Sequence, residues 1–303
     1  MTKVLITGGN GLIGSRLQTL LLDKGYGVNI IGRTAHVSTD PRVRFFTWNV
    51  AAGSIDTSAF DGVSVIIHLA GAGVADKRWT ALRKMEIYDS RIDSTRLIYN
   101  ALATVTHQVK TIVSASAVGY YGDCGAEVLT ETHEPGSSFL AKVTDGWETE
   151  VARMETLGIR HACCRIGIVL SRLGGALPAL ERTIPLGIAG YFSKPDLYYS
   201  WIHIDDVCGI MIHALEKDNM KSSYNTTAPG PIPIKELMRA IVQAKGSKAI
   251  LTPVPPFALK IALGEMSEAV LNSQRCSNRK IMEAGYTFTF PDLKGALEEI
   301  YSK

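Results

Sequence analysis

The chain has 303 residues, with 32 lysines and arginines against 29 aspartates and glutamates, so its formal net charge is +3. So small an excess indicates neither a nucleic-acid nor a membrane-surface partner, and no uninterrupted apolar run is long enough to span a bilayer. The first residues enter a predicted strand without a basic signal segment, and the five cysteines lack metal-ligand spacing. We therefore expect a cytoplasmic protein without a metal site.

The first predicted strand, at residues 4–6, ends in a glycine-rich turn that opens an apolar helical pattern. Residues 7–14 read Thr-Gly-Gly-Asn-Gly-Leu-Ile-Gly. Gly8 allows a tight turn, Gly11 allows the backbone to approach a diphosphate, and Gly14 allows the helix to pack on its strand. The diphosphate would lie on the free N–H groups at the helix N-terminus. The spacing predicts a dinucleotide site, with a glycine turn that holds no ligand as the alternative.

The end of the second predicted strand, at residues 28–31, bears on the choice of nucleotide. It runs into Gly32, Arg33 and Thr34. A site that prefers NAD(H) usually has Asp or Glu here, which accepts hydrogen bonds from the ribose hydroxyls. An arginine cannot accept a hydrogen bond, but its guanidinium group can hold a phosphate. We therefore predict NADP(H) as the cofactor, and a solvated surface arginine is the alternative.

The next elements alternate between strand and helix. Apolar runs predict further strands at 43–48, 63–68, 111–114 and 160–166, and helical patterns cover 80–103 and 139–157. Six alternations with short connections predict an α/β fold, a Rossmann-type doubly wound parallel sheet. After the fourth strand, the small residues from Leu69 to Gly73 would let the backbone pass beside a cofactor, although a simple tight turn explains them as well.

Beyond residue 170 the periodicity breaks up. Glycines and prolines predict a loop-rich lid, followed by helices that end near residues 215 and 245. The C-terminal part predicts a short helix, a strand near 286–290 and a final helix. We therefore expect an NADP-binding domain at 1–169 and 200–228, and a smaller mixed α/β substrate lobe at 170–199 and 229–303.

Together these segments resemble the extended short-chain dehydrogenase/reductase superfamily. Within it, they are similar to the atypical NAD-dependent epimerase/dehydratase-like "epimerase family" branch, which has a characteristic C-terminal domain. The match includes Gly-Tyr-Tyr-Gly-Asp at 119–123 and Trp-Ile-His-Ile-Asp-Asp at 201–206. The matching blocks, in chain order, are 7–14, 69–71, 75–80, 119–123, 147–148, 201–206, 264–266, 283–286 and 290–293. The resemblance implies a substrate held between two lobes. Many relatives also pair through two helices, so a homodimer stays open.

By position, the resemblance implies a set of cofactor contacts in the first half of the chain. They are Gly8, Gly11, Leu12, Ile13, Gly14, Gly32, Arg33, Leu69, Ala70, Glu86 and Arg91. Glu86 and Arg91 lie on the helix predicted at 80–103, where a merely solvated face is the alternative.

The sequence departs from the superfamily at its usual catalytic residues, which are a Ser or Thr together with Tyr-x-x-x-Lys. Ser116 matches the serine, but the tyrosine position holds Leu140 and the lysine position holds Thr144. Leucine has no exchangeable proton, and a threonine hydroxyl has no charge with which to lower the pKa of a neighbour. Ser116 and Tyr120 therefore become the catalytic candidates. Weaker candidates, each with a structural role as the alternative, are Asp76, Tyr121, Lys142, Arg165 and His203.

These features predict an NADP(H)-dependent oxidoreductase or epimerase-like enzyme that acts on a small polar substrate, with sugar derivatives among the candidates. Hydride would be exchanged at the nicotinamide, and Ser116 with a nearby tyrosine would orient and protonate the substrate oxygen. The alternative is a non-catalytic NADP(H)-binding sensor or scaffold, which the missing Tyr-x-x-x-Lys supports. Similarity of fold does not transfer a substrate, so the sequence leaves its identity open.

Overall fold

The computed structural model describes residues 2–194 and 196–302. Its helices are α1 (Leu12–Asp23), α2 (Ala81–Thr104), α3 (Phe139–Ala152), α4 (Leu177–Glu181), α5 (Ile204–Glu216), α6 (Ile234–Ala244), α7 (Pro256–Leu263), α8 (Glu268–Leu271), α9 (Arg279–Glu283) and α10 (Leu293–Tyr301). Its strands are β1 (Lys3–Thr7), β2 (Gly27–Gly32), β3 (Val43–Asn49), β4 (Ser54–Ile55), β5 (Val63–His68), β6 (Thr111–Ala117), β7 (Val128–Leu129), β8 (Arg160–Ile166), β9 (Ile168–Ser171), β10 (Gly174–Gly175), β11 (Ile188–Phe192), β12 (Tyr198–Tyr199), β13 (Trp201–His203), β14 (Ser222–Thr226), β15 (Ile232–Pro233), β16 (Ile250–Val254) and β17 (Arg275–Cys276).

The main sheet has the strand order β14-β8-β6-β5-β1-β2-β3-β4. Every neighbouring pair is parallel except β3 with β4. The chain runs outward from β1 through β2 to β3, and then starts again on the other side of β1 with β5. The order therefore reverses between β1 and β5, which is where open α/β sheets form a binding crevice at the carboxyl ends of their strands. This topology confirms the predicted Rossmann-type doubly wound α/β sheet.

Helices cover both faces of the sheet. Leu17 of α1 and Met211 of α5 are fully buried in the core on one face. Ile98 of α2 and Val151 of α3 are fully buried in the core on the other. Because β1 and β5 are covered on both sides, their sequences are almost continuously apolar instead of alternating.

The two long helices begin where the sequence offers a capping side chain. The hydroxyl of Thr80 accepts a hydrogen bond from the N–H of Arg83, and Ser138 does the same for Ala141. No glycine or proline interrupts the 24 residues of α2, so this helix matches its prediction. Helix α1 differs, because its N-cap is Gly11 and no side chain caps it.

Strand β14 at the edge of the sheet is not predicted by the sequence, because Ser-Ser-Tyr-Asn-Thr lacks an apolar run. The structure nevertheless buries its last four residues. Ser223 donates a hydrogen bond to Oε2 of Glu148 (2.7 Å), and Nδ2 of Asn225 donates to the carbonyls of Leu129 (3.2 Å) and Ser277 (3.0 Å). Specific hydrogen bonds thus allow this polar strand to be buried.

Residues 170–194 and 196–199 form short strands and helices, whereas the glycines and prolines of this part of the chain predict a loop-rich lid. Strand β9 pairs with β10 and β13, and β11 pairs with β16. Pro178 and Pro185 lie in the first turns of short helices, where an N–H is not needed. The segment packs on α6 and α10 in a separate core that includes Leu237 and Leu297. The breaks in the pattern therefore divide this segment into short elements and do not leave it irregular.

The prediction of a strand near residues 286–290 is also wrong. This segment is irregular, and its backbone N–H groups bind a side chain instead of pairing with a neighbouring strand. The carboxylate of Asp206, fully buried at the start of α5, accepts hydrogen bonds from the N–H groups of Thr289 (2.7 Å) and Phe290 (2.9 Å). It also accepts one from the hydroxyl of Tyr286 (2.8 Å). The predicted final helix follows as α10.

Candidate cofactor and active site

The glycine loop connects β1 to α1 at the point where the strand order reverses. Gly8 has a φ of +69°, which glycine adopts without strain. A Cβ atom at Gly8 would lie 3.0 Å from the carbonyl carbon of Leu69, so the loop runs against the end of β5. The N–H of Gly11 donates to the carbonyl of Gly8 (3.0 Å). Because Gly11 then caps α1 without a side chain, the first amides of α1 meet the requirement for an anion site.

Gly14 is required by the loop itself. A Cβ atom at this position would collide with the backbone of Gly8 and Gly9. The close neighbour of Gly14 is therefore the turn after β1, whereas the sequence suggested packing against the strand. Leu12 and Ile13 pack their side chains against the core beneath α1. A ligand on this loop would therefore meet mainly their backbone.

The ends of β1 and β5 are joined by the hydroxyl group of Thr7. Its Oγ1 accepts hydrogen bonds from the N–H groups of Leu69 (3.0 Å) and Ala70 (3.1 Å), and it lies 2.8 Å from Nδ1 of His68. Thr7 and His68 are both fully buried. Leu69 and Ala70, which the resemblance assigns to the cofactor, are thereby fixed against the glycine loop.

Gly32 ends β2, and Arg33 follows it at the same edge of the sheet. Arg33 is exposed, and within residues 2–194 and 196–302 no hydrogen bond or ion pair engages its guanidinium group. No heavy atom lies within 4 Å of a Cβ atom placed on Gly32. The end of β2 thus presents an unengaged cation with open space beside it.

Arg91 lies on α2, beneath the loop that follows β5. A Cβ atom at Gly71 would lie 2.9 Å from its guanidinium carbon. Nη1 of Arg91 donates to the carbonyls of Ala72 (3.1 Å) and Ile87 (2.8 Å). None of the described carboxylates lies within ion-pair distance, and burial, together with the charge of Arg83, lowers the pKa of Arg91 to about 10. A desolvated cation without a counter-ion is a group that a bound anion would stabilise.

Glu86 is exposed and forms an ion pair with Arg83, with 2.6 Å between Oε2 and Nη1. The hydrogen bond from Arg83 lowers the pKa of Glu86, and the nearby charge of Arg33 contributes. The charges of Glu86 and Arg33 are thus close enough to interact.

Arg83 is a candidate that the sequence did not indicate. Its side chain is only 7% exposed, donates to the carbonyl of Gly73 and reaches Asp76 at 3.4 Å. Its Nε is buried without a hydrogen-bond partner in the described structure. The sequence could have indicated Arg83 through its spacing from Arg91. The two arginines are eight residues apart on α2 and therefore share one face of the helix.

Ser116, at the end of β6, is buried, and its hydroxyl binds a carboxylate. Oγ donates to Oε1 of Glu148 (2.6 Å). Arg165 donates to both oxygens of Glu148, at 2.9 and 2.8 Å, and Ser223 donates to Oε2 at 2.7 Å. While these bonds are kept, Ser116 cannot donate to a substrate, although its lone pairs can still accept a hydrogen bond.

Tyr120 and Tyr121 lie in the 3-10 turn Val118–Tyr121 after β6, and their environments differ. The hydroxyl of Tyr121 accepts from Arg165 (2.9 Å) and donates to Oδ1 of Asn225 (2.7 Å), so it belongs to a closed network. The ring of Tyr120 stacks on the guanidinium group of Arg165, with 3.4 Å between Cζ and the ring centroid. Among the described residues, none forms a hydrogen bond with the Tyr120 hydroxyl at the distances seen for Tyr121. Burial raises the pKa of Tyr120, although Arg165 opposes this effect.

The positions of the absent Tyr-x-x-x-Lys lie in α3. The hydroxyl of Thr144 donates back to the carbonyls of Leu140 (2.9 Å) and Ala141 (3.0 Å). Leu140 belongs to an apolar cluster around Trp79, and a Cβ atom at Gly119 would lie 3.4 Å from its Cβ. Neither side chain offers a proton or a charge at this end of the helix.

The other polar candidates have different surroundings. His203 caps α5, because its Nδ1 accepts from the N–H of Asp205 (3.2 Å), and its Nε2 lies 3.0 Å from Glu299. Its side chain is 2% exposed, as expected of a scaffold residue. The side chain of Asp76 is 66% exposed, and Lys142 is exposed on α3.

Neither a metal cluster nor a membrane-crossing helix occurs in the described part of the chain. Among these residues, no group of three or more His, Cys, Asp or Glu side chains could hold a metal ion. None of the helices found there combines the length and the apolar character that crossing a membrane requires.

Comparison with known families identifies the class of protein to which this fold and this crevice belong. Residues 4–226 match the "NAD dependent epimerase/dehydratase family". Residues 254–300 match the "Domain of unknown function (DUF1731)". The chain belongs to the NAD dependent epimerase/dehydratase family, which confirms the resemblance and its C-terminal domain.

Individual relatives match along the whole chain. Epimerase family protein SSP1921 of Staphylococcus saprophyticus is 33% identical over 302 residues, 99% of both chains. Epimerase family protein YfhF of Bacillus subtilis is 32% identical over 299 residues, 98% of this chain and 97% of that protein. The crystal structure of human epimerase family protein SDR39U1 (isoform 2) with NADPH superposes with a TM-score of 0.86, at 28% identity and over 99% of both chains.

Proposed function

We propose that this protein is an NADP(H)-dependent oxidoreductase or epimerase-like enzyme that acts on a small polar substrate, with sugar derivatives among the candidates. The observation that carries the proposal is the crevice between β1 and β5. There the uncapped N-terminus of α1 and the unpaired cation of Arg91 flank the contact between Gly8 and Leu69. Both features suit the anionic part of a dinucleotide.

The residues present fit such a cofactor. The first amides of α1 would hold the diphosphate, and the loop at Leu69 and Ala70 would pass along a ribose. A human member of the family was solved with NADPH, which supports this assignment. When bound, the nicotinamide group supplies or accepts a hydride.

Arg33 supports NADP(H) over NAD(H). Its exposed guanidinium group has the shape and charge to hold a phosphate in two hydrogen bonds. No acidic residue takes the place at the end of β2 from which ribose hydroxyls would be bound. The charge of Glu86 interacts with that of Arg33, but the ion pair of Glu86 with Arg83 already partly neutralises it.

Tyr120 is the proposed proton donor to the substrate oxygen. A tyrosine is protonated at neutral pH, and the raised pKa of Tyr120 prevents it from acting as a base there, so donation of its proton is the role that remains. Ser116 would orient the substrate by accepting a hydrogen bond, since its own proton is directed at Glu148. This pairing favours reduction of a carbonyl, in which the oxygen gains a proton, over oxidation of an alcohol.

The second candidate function is an NADP(H)-binding sensor or scaffold without turnover. The apolar surroundings of Leu140 and the back-bonded hydroxyl of Thr144 favour it, because neither position supplies a proton. The two candidates share the cofactor and differ in whether its hydride is transferred once it is bound.

Hydride exchange separates them. NADPH deuterated at its transferable position is incubated with the protein and a panel of carbonyl compounds and nucleotide sugars. We expect label to pass to a substrate, and Tyr120→Phe to slow the transfer by roughly a hundredfold or more, as for the loss of a general acid. The control is Tyr99→Phe, which removes a hydroxyl that lies 2.9 Å from Oγ1 of Thr156, and it should leave the rate unchanged. NADPH binding without any transfer supports the sensor, and no NADPH binding overturns both candidates.

A further inference from the structure

His68 lies at the end of β5 and is fully buried between β1 and α2. On one side, its Nδ1 is 2.8 Å from Oγ1 of Thr7. On the other side, its Nε2 is 3.0 Å from Oγ1 of Thr95. One ring therefore bridges the strand that carries the glycine loop and the helix that carries Arg91.

The other hydrogen bonds of Thr7 and Thr95 determine which group is the donor in each of the two contacts of the His68 ring. Oγ1 of Thr7 already accepts from the N–H groups of Leu69 and Ala70, which occupy both of its lone pairs. The hydroxyl proton of Thr7 must therefore be donated to Nδ1 of His68. On the far side, the hydroxyls of Thr95 (2.7 Å) and Ser94 (3.1 Å) both donate to the carbonyl of Arg91. Thr95, together with Ser94 at 3.4 Å, therefore accepts from Nε2–H of His68.

The ring must be neutral in this arrangement, because a protonated Nδ1 would face the hydroxyl of Thr7 with a second donor. The surroundings agree. Burial and the charge of Arg91 lower the pKa of His68 to about 3. The ring is thus held in one tautomer, with Nδ1 as the acceptor and Nε2 as the donor.

We propose that His68 is a positioning residue for the cofactor crevice. By accepting the proton of Thr7, it keeps both lone pairs of that hydroxyl on the amides of Leu69 and Ala70. This sets the separation between the glycine loop and the loop over Arg91. The inference rests on the proposed binding of NADP(H) in this crevice and assigns it a residue that touches no ligand.

The two sides of the ring can be tested separately. In His68→Asn, the amide oxygen takes the place of Nδ1 and keeps the bond to Thr7. In His68→Gln, the amide nitrogen takes the place of Nε2 and keeps only the bond to Thr95. Each variant removes one buried hydrogen bond, so we expect similar decreases in the melting temperature. The affinity for NADPH should differ, with His68→Gln weakened about tenfold and His68→Asn within about twofold of wild type.

A matched pair of threonine variants provides the control. Thr7→Val and Thr95→Val are isosteric and remove the hydroxyl on either side of the ring. We expect Thr7→Val to weaken NADPH binding and Thr95→Val to lower only the stability. Equal effects of the two variants on the dissociation constant would overturn the proposal and leave His68 a purely structural residue.

Amide hydrogen exchange gives a readout without cofactor. Protection at Ala70, whose N–H donates to Oγ1 of Thr7, should be lost in Thr7→Val and His68→Gln, and kept in Thr95→Val and His68→Asn. Leu69 should keep part of its protection in all four variants, because its N–H also donates to the carbonyl of Thr7 (3.3 Å). If wild type fails to bind NADPH but this pattern appears, the cofactor assignment falls and the role of His68 in fixing the loop stands. If wild type binds NADPH and the pattern is absent, His68 does not position the loop.

Discussion

Arg33 and Arg91 have the same side chain but different environments. Arg91 is desolvated and fixed by two backbone carbonyls, so it can supply a charge at a defined place. Arg33 is exposed and can adapt to what binds beside it. A fixed cation suits a group that every dinucleotide shares, whereas an adaptable one suits the phosphate that only one of them has.

The first prediction concerns Arg33. In Arg33→Asp, a carboxylate repels the adenosine phosphate and can accept hydrogen bonds from ribose hydroxyls. We expect NADPH affinity to fall by about tenfold or more and NADH affinity to rise. Titration of both nucleotides against protein fluorescence measures this. Arg44→Asp, an exposed residue of β3, makes the same change of charge and should leave the preference alone. If Arg33→Asp kept the preference for NADPH over NADH, Arg33 would not be the residue that binds the adenosine phosphate.

The second prediction concerns stability in acid. The pKa of His68 is about 3 in the folded protein and about 6.5 in the unfolded chain, so below pH 6.5 only the unfolded chain takes up the proton. The free energy of unfolding should therefore decrease as the pH falls from 6.5 towards 3. From pH 7 to pH 5 this residue should account for about 2 kcal/mol.

Urea unfolding at both pH values measures this loss. The loss should be smaller by that amount in His68→Asn, which has no titrating ring. His36→Asn, at an exposed position, should behave as wild type. If His68→Asn and wild type lose the same stability, His68 is not buried as a neutral ring.

The sequence predicted where Ser116 lies, at the end of a strand in the crevice, but not what its hydroxyl binds. Glu148 is 32 residues away, and it is held in turn by Arg165 and Ser223 from two other strands. Local pattern locates a residue on its element. Hydrogen bonds between distant elements depend on how those elements pack, which the pattern does not contain.

At the scale of elements, the first turn of α5 holds two different parts of the chain. Asp205 binds the guanidinium group of Arg16 on α1 through both oxygens, at 2.6 and 2.9 Å. Asp206, its neighbour, is buried and binds the amides of the segment that leads to α10. Adjacent aspartates on one turn thus fix the N-terminal and the C-terminal helices to the same element.

This arrangement gives the third prediction. In Asp206→Asn, an amide NH₂ replaces one acceptor and faces an N–H donor, so we expect a loss of about 2–3 kcal/mol in the free energy of unfolding. Asp205→Asn, whose ion pair is partly exposed, should lose less than about 1 kcal/mol. Limited proteolysis should cut residues 277–302 faster in Asp206→Asn only. Equal losses in the two variants would contradict this account.

Strands and helices could be predicted from the sequence where their buried side chains are apolar. The apolar runs of β1 and β5 identify them as strands covered on both faces. Strand β14 reads as a loop, because hydrogen bonds to distant residues allow its polar side chains to be buried. The segment near residue 286 shows the opposite error, a strand predicted where none forms. Its alternating aromatic residues are typical of a strand, but its backbone N–H groups bind Asp206.

At the scale of the whole molecule, the reversal of strand order brings together residues that are far apart in sequence. The glycine loop meets the end of β5 some sixty residues later because β1 has neighbours on both sides. The order of strands follows from the alternation of elements and was predictable. The resemblance implied that Arg91 contacts the cofactor, but its position beneath Gly71 was not predictable, because the orientation of Arg91 depends on how α2 packs against that loop.

The bond between Arg16 and Asp205 has a consequence for how the protein is made. The two residues are separated by 189 positions, so α1 leaves the ribosome long before the partner of its arginine exists. Strand β1 likewise waits for β5 before both of its edges are paired. Contacts this distant in sequence slow the search for the native arrangement. During synthesis, the glycine loop is therefore translated well before the segments that complete its surroundings.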